Sequence, residues 1–237
     1  LGIERAWYLP FCPSIARPFE PVAEAEPVTV FAGSLCIEKN NAYFELVQAI
    51  ENAAQEGGRH GKQLLRVRNR LRRFVEAQEH ASRRGEGWII PRLVDEMESP
   101  YRTFFETIGL SRSQLIALLG KESGGRERLL QLAHARKIDL YGDEHPGERL
   151  PEAVYRGGLD LYEASGLVYN RAAVSLSLPL IYAMDGLSKS VFNILQAGGL
   201  LLAARQEPLA ALFQEGEQYL GFTDPAEVRE KIDWVLA

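Results

Sequence analysis

The chain predicts an α/β fold: a parallel β-sheet with helices on both faces and an all-helical insertion. Three observations carry this. In the C-terminal half, short β-type runs that end at glycine alternate with helical stretches, as in a sheet crossed over by helices. From Lys62 to Leu119 the sequence shows helical periodicity only, which sets the insertion at about residues 57–125. The 237 residues suffice to bury a full core, with apolar and charged fractions ordinary for a globular protein.

The elements follow in order. Residues 1–27 carry Pro10, Pro13, Pro18, Pro21 and Pro27 and read as an extended lead-in. Val28–Ala32 is a strand stopped by Gly33-Ser34, and the domain proper is expected to run over 28–237. Tyr43–Glu56 has helical spacing and stops before Gly57-Gly58. From Lys62 the stripe Leu64, Val67, Leu71, Phe74 and Val75 is flanked by arginines. Shorter helices are expected at Pro91–Glu98, Tyr101–Ile108 and Ser111–Leu119, the last with a Ser111–Gln114 capping box. Lys121–Gly125 reads as a break and Arg126–Arg136 as a new helix. Then come a strand at Lys137–Tyr141 ending at Gly142, a strand at Ala153–Arg156 before Gly157-Gly158, a helix at Leu161–Arg171, and a strand at Ala173–Leu178. A small-residue turn, Asp185–Ser188, opens a helix that closes at Gly198-Gly199, and an apolar strand follows at once. A short helix at Pro208–Phe213 and a strand at Gln218–Gly221 come next. Asp224 caps the terminal helix, with Pro225 first and Glu227 third.

In a parallel sheet, ligands sit at the carboxyl ends of the strands. The loops at Gly33-Ser34, Gly142, Gly157-Gly158 and Asp185–Lys189 would gather at that edge. A helix start directs backbone N–H groups and a positive dipole end at one spot, which suits a diphosphate, and Lys189 would add a point charge. Nothing in the pattern marks a metal site, a P-loop or a nucleophile elbow. The net charge of −5 gives no general pull toward nucleic acid, and the arginines of 59–84 have only Phe74 interleaved, so nucleic acid is not an expected partner. No run is apolar enough to span a membrane, no signal-peptide pattern is present, and Cys12 and Cys36 make no metal spacing. A cytoplasmic setting is the expectation.

Set in order, these pieces have a likeness. The stretch from Tyr155 to Ala237 resembles the C-terminal half of GT-B glycosyltransferases of the CgeB-like, group 1 type. The residues are Tyr155-Arg-Gly157, Tyr169-Asn-Arg-Ala172, the helix Gly186–Gly198, Leu209–Glu217 and the closing helix Asp224–Leu236. Earlier, Tyr8-Leu-Pro-Phe11 is similar to that family's inter-domain lead-in, Val30–Ser34 to its glycine-serine turn, and Ile138–Gly142 to its tyrosine-glycine turn.

The resemblance implies a Rossmann-like domain that binds a nucleoside-diphosphate sugar for transfer to an acceptor, with no further cofactor. The implied donor-binding residues are Gly33, Ser34, Gly142, Gly157, Leu159, Asp185, Gly186, Ser188, Lys189 and Asn193, with the base near Gly157 and Leu159. The implied partner is an N-terminal GT-B half, from which the lead-in would arrive and which would supply a catalytic base. The family's paired acidic residues, with seven residues between them, fall on Asp185 and Asn193. Asn193 thus stands in for a glutamate and Lys189 for an arginine, which loses a charged acceptor and a bidentate fork. The alternative is a non-catalytic module of the same fold that uses its helical insertion for partner assembly.

Overall fold

The computed structural model describes residues 24–35, 42–56, 60–84, 86–135, 138–142, 145–160, 163–179 and 186–237. Most of the expected lead-in, both cysteines and Asp185 lie outside them. In chain order the first elements are β1 Glu26–Ala32, α1 Ala42–Glu56, α2 Gly61–Arg83, α3 Ile90–Asp95, α4 Ser99–Thr107 and α5 Arg112–His134. The rest are β2 Ile138–Tyr141, β3 Val154–Gly157, α6 Glu163–Arg171, β4 Ala172–Ser177, α7 Lys189–Gln196, β5 Leu201–Ala204, α8 Glu207–Leu212, β6 Leu220–Phe222 and α9 Pro225–Leu236. The chain divides into two compact units: one joins the chain up to Gly33 with Gln131–Ala237, the other is Ser34–Leu130.

The first unit is the sheet. Its six strands are all parallel, in the order β3-β2-β1-β4-β5-β6, so the expected α/β class and Rossmann-like sheet hold. Alternate residues serve opposite faces. Val30, Leu201 and Ala203 pack with Tyr169 of α6 and with Val191 and Ile194 of α7. Their strand neighbours Phe31, Leu176, Leu202 and Phe222 are buried as well, and α9 lies against β4 and β6 with Val228 and Ile232 fully buried. The cap of α9 is as the sequence predicts: Asp224 accepts from Ala226 N–H and Glu227 reaches back to Asp224 N–H. The last strand is displaced from its expected position at 218–221, because Gln218 belongs to a turn and Tyr219 to an isolated bridge with Glu215. The strand order reverses between β1 and β4, which pair in register at Val30–Ser175 and Phe31–Leu176. That reversal fixes where a ligand crevice lies.

The second unit, among its described residues, is helical only, and its core joins α1 through α5 around Val47, Val67, Leu71, Val75, Phe105, Leu115 and Leu119. One expectation fails here: Lys121–Gly125 does not break the chain, and α5 runs through it without interruption. Glycine lowers helix propensity by only about 1 kcal/mol per residue, and tertiary contact overrides that. Ser123 is fully buried and Gly125 buried, while Glu122 and Arg126 pair one turn apart across the glycines. The capping box at Ser111 and Gln114 forms. Arg68, Arg70 and Arg72 of α2, and Arg84 just beyond it, are engaged by the unit's own groups. Arg68 and Arg72 both reach Glu51, Arg70 binds Glu98 and sits 5.2 Å over the Tyr101 ring, and Arg84 holds Glu86.

Two carboxyls in this unit are buried enough to matter. Burial pushes Glu79 up, against the pull of Arg126, and burial likewise raises Glu127, against a hydrogen bond from Ser82. Both bind protons more tightly folded than unfolded, so stability increases as pH falls from neutral toward the ordinary carboxylate value of 4.5. Below that value the exposed Asp95–Arg112 and Glu86–Arg84 pairs, whose carboxyls are held low by hydrogen bonds, work in the opposite direction. Hydrogen exchange of α2 and α5 amides is expected to show greater protection at pH 5 than at pH 7, after correction for intrinsic rates. A Glu79→Gln, Glu127→Gln double variant is expected to abolish that difference.

Candidate functional site

At the reversal point the carboxyl end of β4 is tied directly to the start of α7. Ser177 Oγ, on the last residue of β4, lies 2.7 Å from Ser190 Oγ, and Ser190 Oγ lies 2.8 Å from Ser188 Oγ. Ser188 is the N-cap: its backbone is extended and its hydroxyl accepts from Ser190 N–H at 3.3 Å. The helix is held on its other side by Leu187, Val191 and Ile194, each at most 2 % exposed. Its far end is fixed by Asn170, whose buried amide donates to Ala197 O at 2.7 Å, and by Gly199, where a Cβ would sit 2.6 Å from Tyr169 O. A rigid eight-residue helix therefore points its N-terminus at the edge of the sheet. Lys189, its first residue, is exposed, and its backbone N–H has no hydrogen bond among the described residues. Such unpaired N–H groups at a helix start suit an anion.

Gly33 and Gly142 belong to the same edge but act differently from expectation. Gly33 N–H already donates to Tyr141 O at 2.9 Å, and Gly142 N–H donates to Gly157 O at 2.9 Å. Neither amide is a spare phosphate donor. What these positions supply is close approach, since a Cβ on Gly142 would meet Gly33 O at 2.6 Å. Gly157 has φ +87°, a conformation that favours glycine, and it turns the chain toward half-buried Leu159. Gly186 is half-buried just before the α7 cap. Ser34 begins the other unit, where its carbonyl accepts from the Arg128 guanidinium. Asn193 lies on α7 itself, five residues after the N-cap. It is 4 % exposed, on the packed side of α7, so its amide is not displayed at the sheet edge.

The structure thus brings Ser188 and Lys189 together with Gly33, Gly142 and Gly157 along the carboxyl edge of one sheet. Sequence reasoning missed Ser177 and Ser190. The signal was a serine at the end of β4 and another in the first turn of α7, but nothing local in the sequence says that the two meet. Sequence reasoning also missed Arg205, just past β5, which binds Glu215 through two nitrogens, Glu227 at 3.1 Å and Thr223 Oγ at 3.1 Å. The Glu215 hydrogen bonds raise Arg205 above the usual guanidinium range, and Arg205 in turn holds Glu215 low. This knot fastens the loops after β5 and β6 to each other. Among the described residues no cluster of His, Cys, Asp and Glu is arranged to hold a metal ion, and no helix is long and apolar enough to cross a membrane.

Comparison with known proteins adds one finding. Residues 124–237 match the family model described as glycosyl transferase-like. The matched segment carries β2 through β6 and the whole of α7, so the helix start at Ser188 and Lys189 lies inside it. The match begins inside α5, and the central strand β1 lies outside it. No curated protein and no solved structure matches the chain.

Proposed function

We propose that this chain holds the donor of a glycosyltransferase, in the manner of the C-terminal half of a GT-B enzyme of the CgeB-like type. The donor is a nucleoside-diphosphate sugar. The observation that carries the reading is the α7 N-terminus, tethered through Ser177 and Ser190 to the carboxyl end of β4 at the strand-order reversal, within a glycosyltransferase-like segment.

The chemistry follows from that placement. Glycosyl transfer breaks the bond between the anomeric carbon and the diphosphate oxygen, and negative charge builds on the departing diphosphate. The Lys189 N–H at the start of α7, the helix dipole and the Lys189 ammonium stabilise that charge without having to reorganise. Gly142 lets the backbone after β2 pack closely against Gly33 after β1, which fixes the shape of the edge beside that charge. Asn193, buried behind the helix start, supports α7 rather than balancing charge. The acceptor and the group that removes its proton come from an N-terminal GT-B half.

Calorimetric titration of the chain with nucleoside diphosphates and their sugars tests the reading. Binding is expected, and Lys189→Ala is expected to weaken it about ten-fold, the loss of one charge-assisted contact. Ser188→Asp preserves an N-cap but puts a carboxylate at the anion site, and is expected to abolish binding without loss of helix content. Absence of binding to any nucleotide, together with a stable complex with a partner protein, would instead establish the non-catalytic assembly module.

A further inference from the structure

The carboxyl edge of β2 and β3 carries an aromatic pair. His145 and Tyr155 stack edge to face, with centroids 4.8 Å apart and planes inclined by 65°. Both rings are pinned. Tyr155 Oη donates to Gly142 O at 2.9 Å, and His145 Nδ1 accepts from Gly147 N–H at 2.9 Å. His145 is nevertheless exposed. Beside the pair the chain is bare: side-chain atoms added at Gly157 and Gly158 would meet nothing within 4 Å. An immobilised ring with a free face, next to side-chain-free backbone at the ligand-bearing edge of a parallel sheet, is more than a polar turn needs.

We propose that His145, held by Tyr155, is the stacking platform for the nucleobase of the donor, with Gly157 and Gly158 leaving room for the rest of the ring. This rests on the donor reading above. A base has a π-face whatever its identity, so the platform gives affinity for a heterocycle rather than selection among bases. Rigid placement of the imidazole means that little ordering cost falls on binding.

The test uses the full chain and three probes: uridine diphosphate, guanosine diphosphate and inorganic pyrophosphate. His145→Asn keeps an acceptor for Gly147 N–H but removes the ring face, and His145→Phe does the reverse. Asn is expected to weaken both nucleotides at least about five-fold and to leave pyrophosphate unchanged, while Phe stays within about two-fold of the parent. Equal nucleotide affinity in the Asn variant and the parent would overturn the platform and leave the donor site standing. Equal weakening of pyrophosphate and nucleotides would overturn it too, because the effect would then be on the loop. If neither the nucleotides nor pyrophosphate bind the parent chain, the donor reading and the platform fall together.

Discussion

Ile194→Ala is expected to destabilise the sheet unit by about 2–5 kcal/mol, the usual range for removing a buried branched side chain and leaving a cavity. Ile194 is fully buried and sits where α7 meets the sheet, in the cluster with Val30, Tyr169, Val191 and Leu201. Ile194→Val removes one methylene and is expected to cost about 0.5–1.5 kcal/mol. Urea unfolding followed by amide exchange in β1, β4 and β5 checks both. A cost for Ile194→Ala below that of Ile194→Val would show that α7 is not seated as described.

Gly61→Ala is the second large effect, in the helical unit. Gly61 opens α2, and a Cβ there would lie 2.2 Å from Ala54 O in α1. The neighbour is backbone, so it cannot swing aside, and the two helices must separate. Overpacking of this kind costs about 1–3 kcal/mol and occasionally more. Gly120→Ala is the control. It also lies in a helix of this unit, but its added Cβ would stand 3.5 Å from the Trp88 ring, an ordinary contact. There the propensity gain of up to about 1 kcal/mol should dominate, and the variant is expected to be neutral or more stable. Opposite signs for the same substitution in denaturant midpoints would confirm close α1–α2 packing at Gly61.

Much of the fold is legible in local sequence. Asp224-Pro-Ala-Glu227 specifies the α9 cap completely, because all of its partners lie within one turn. Gly142 as a strand-end turn is legible for the same reason. The failures share the opposite property. Gly124-Gly125 reads as a break because propensity is local, whereas the burial of Ser123 and Gly125 that carries α5 through it is tertiary. The amide of Gly33 reads as free because its acceptor, Tyr141 O, is more than a hundred residues away in sequence. The burial of Asn193 is not legible, because its helix position says nothing about which side the core occupies. The strand-end loops are therefore legible by pattern, while the hydrogen bonds of individual residues within them depend on long-range pairing.

The central claim is that an anionic nucleotide binds at the start of α7. Amide chemical-shift mapping of the full chain on addition of a nucleoside diphosphate tests it most directly. The largest shifts are expected at Ser188, Lys189 and Ser190, with smaller ones at Gly33 and Gly157, and with none along α2. Shifts confined to the arginines of α2, or no shifts at any accessible nucleotide concentration, would contradict it.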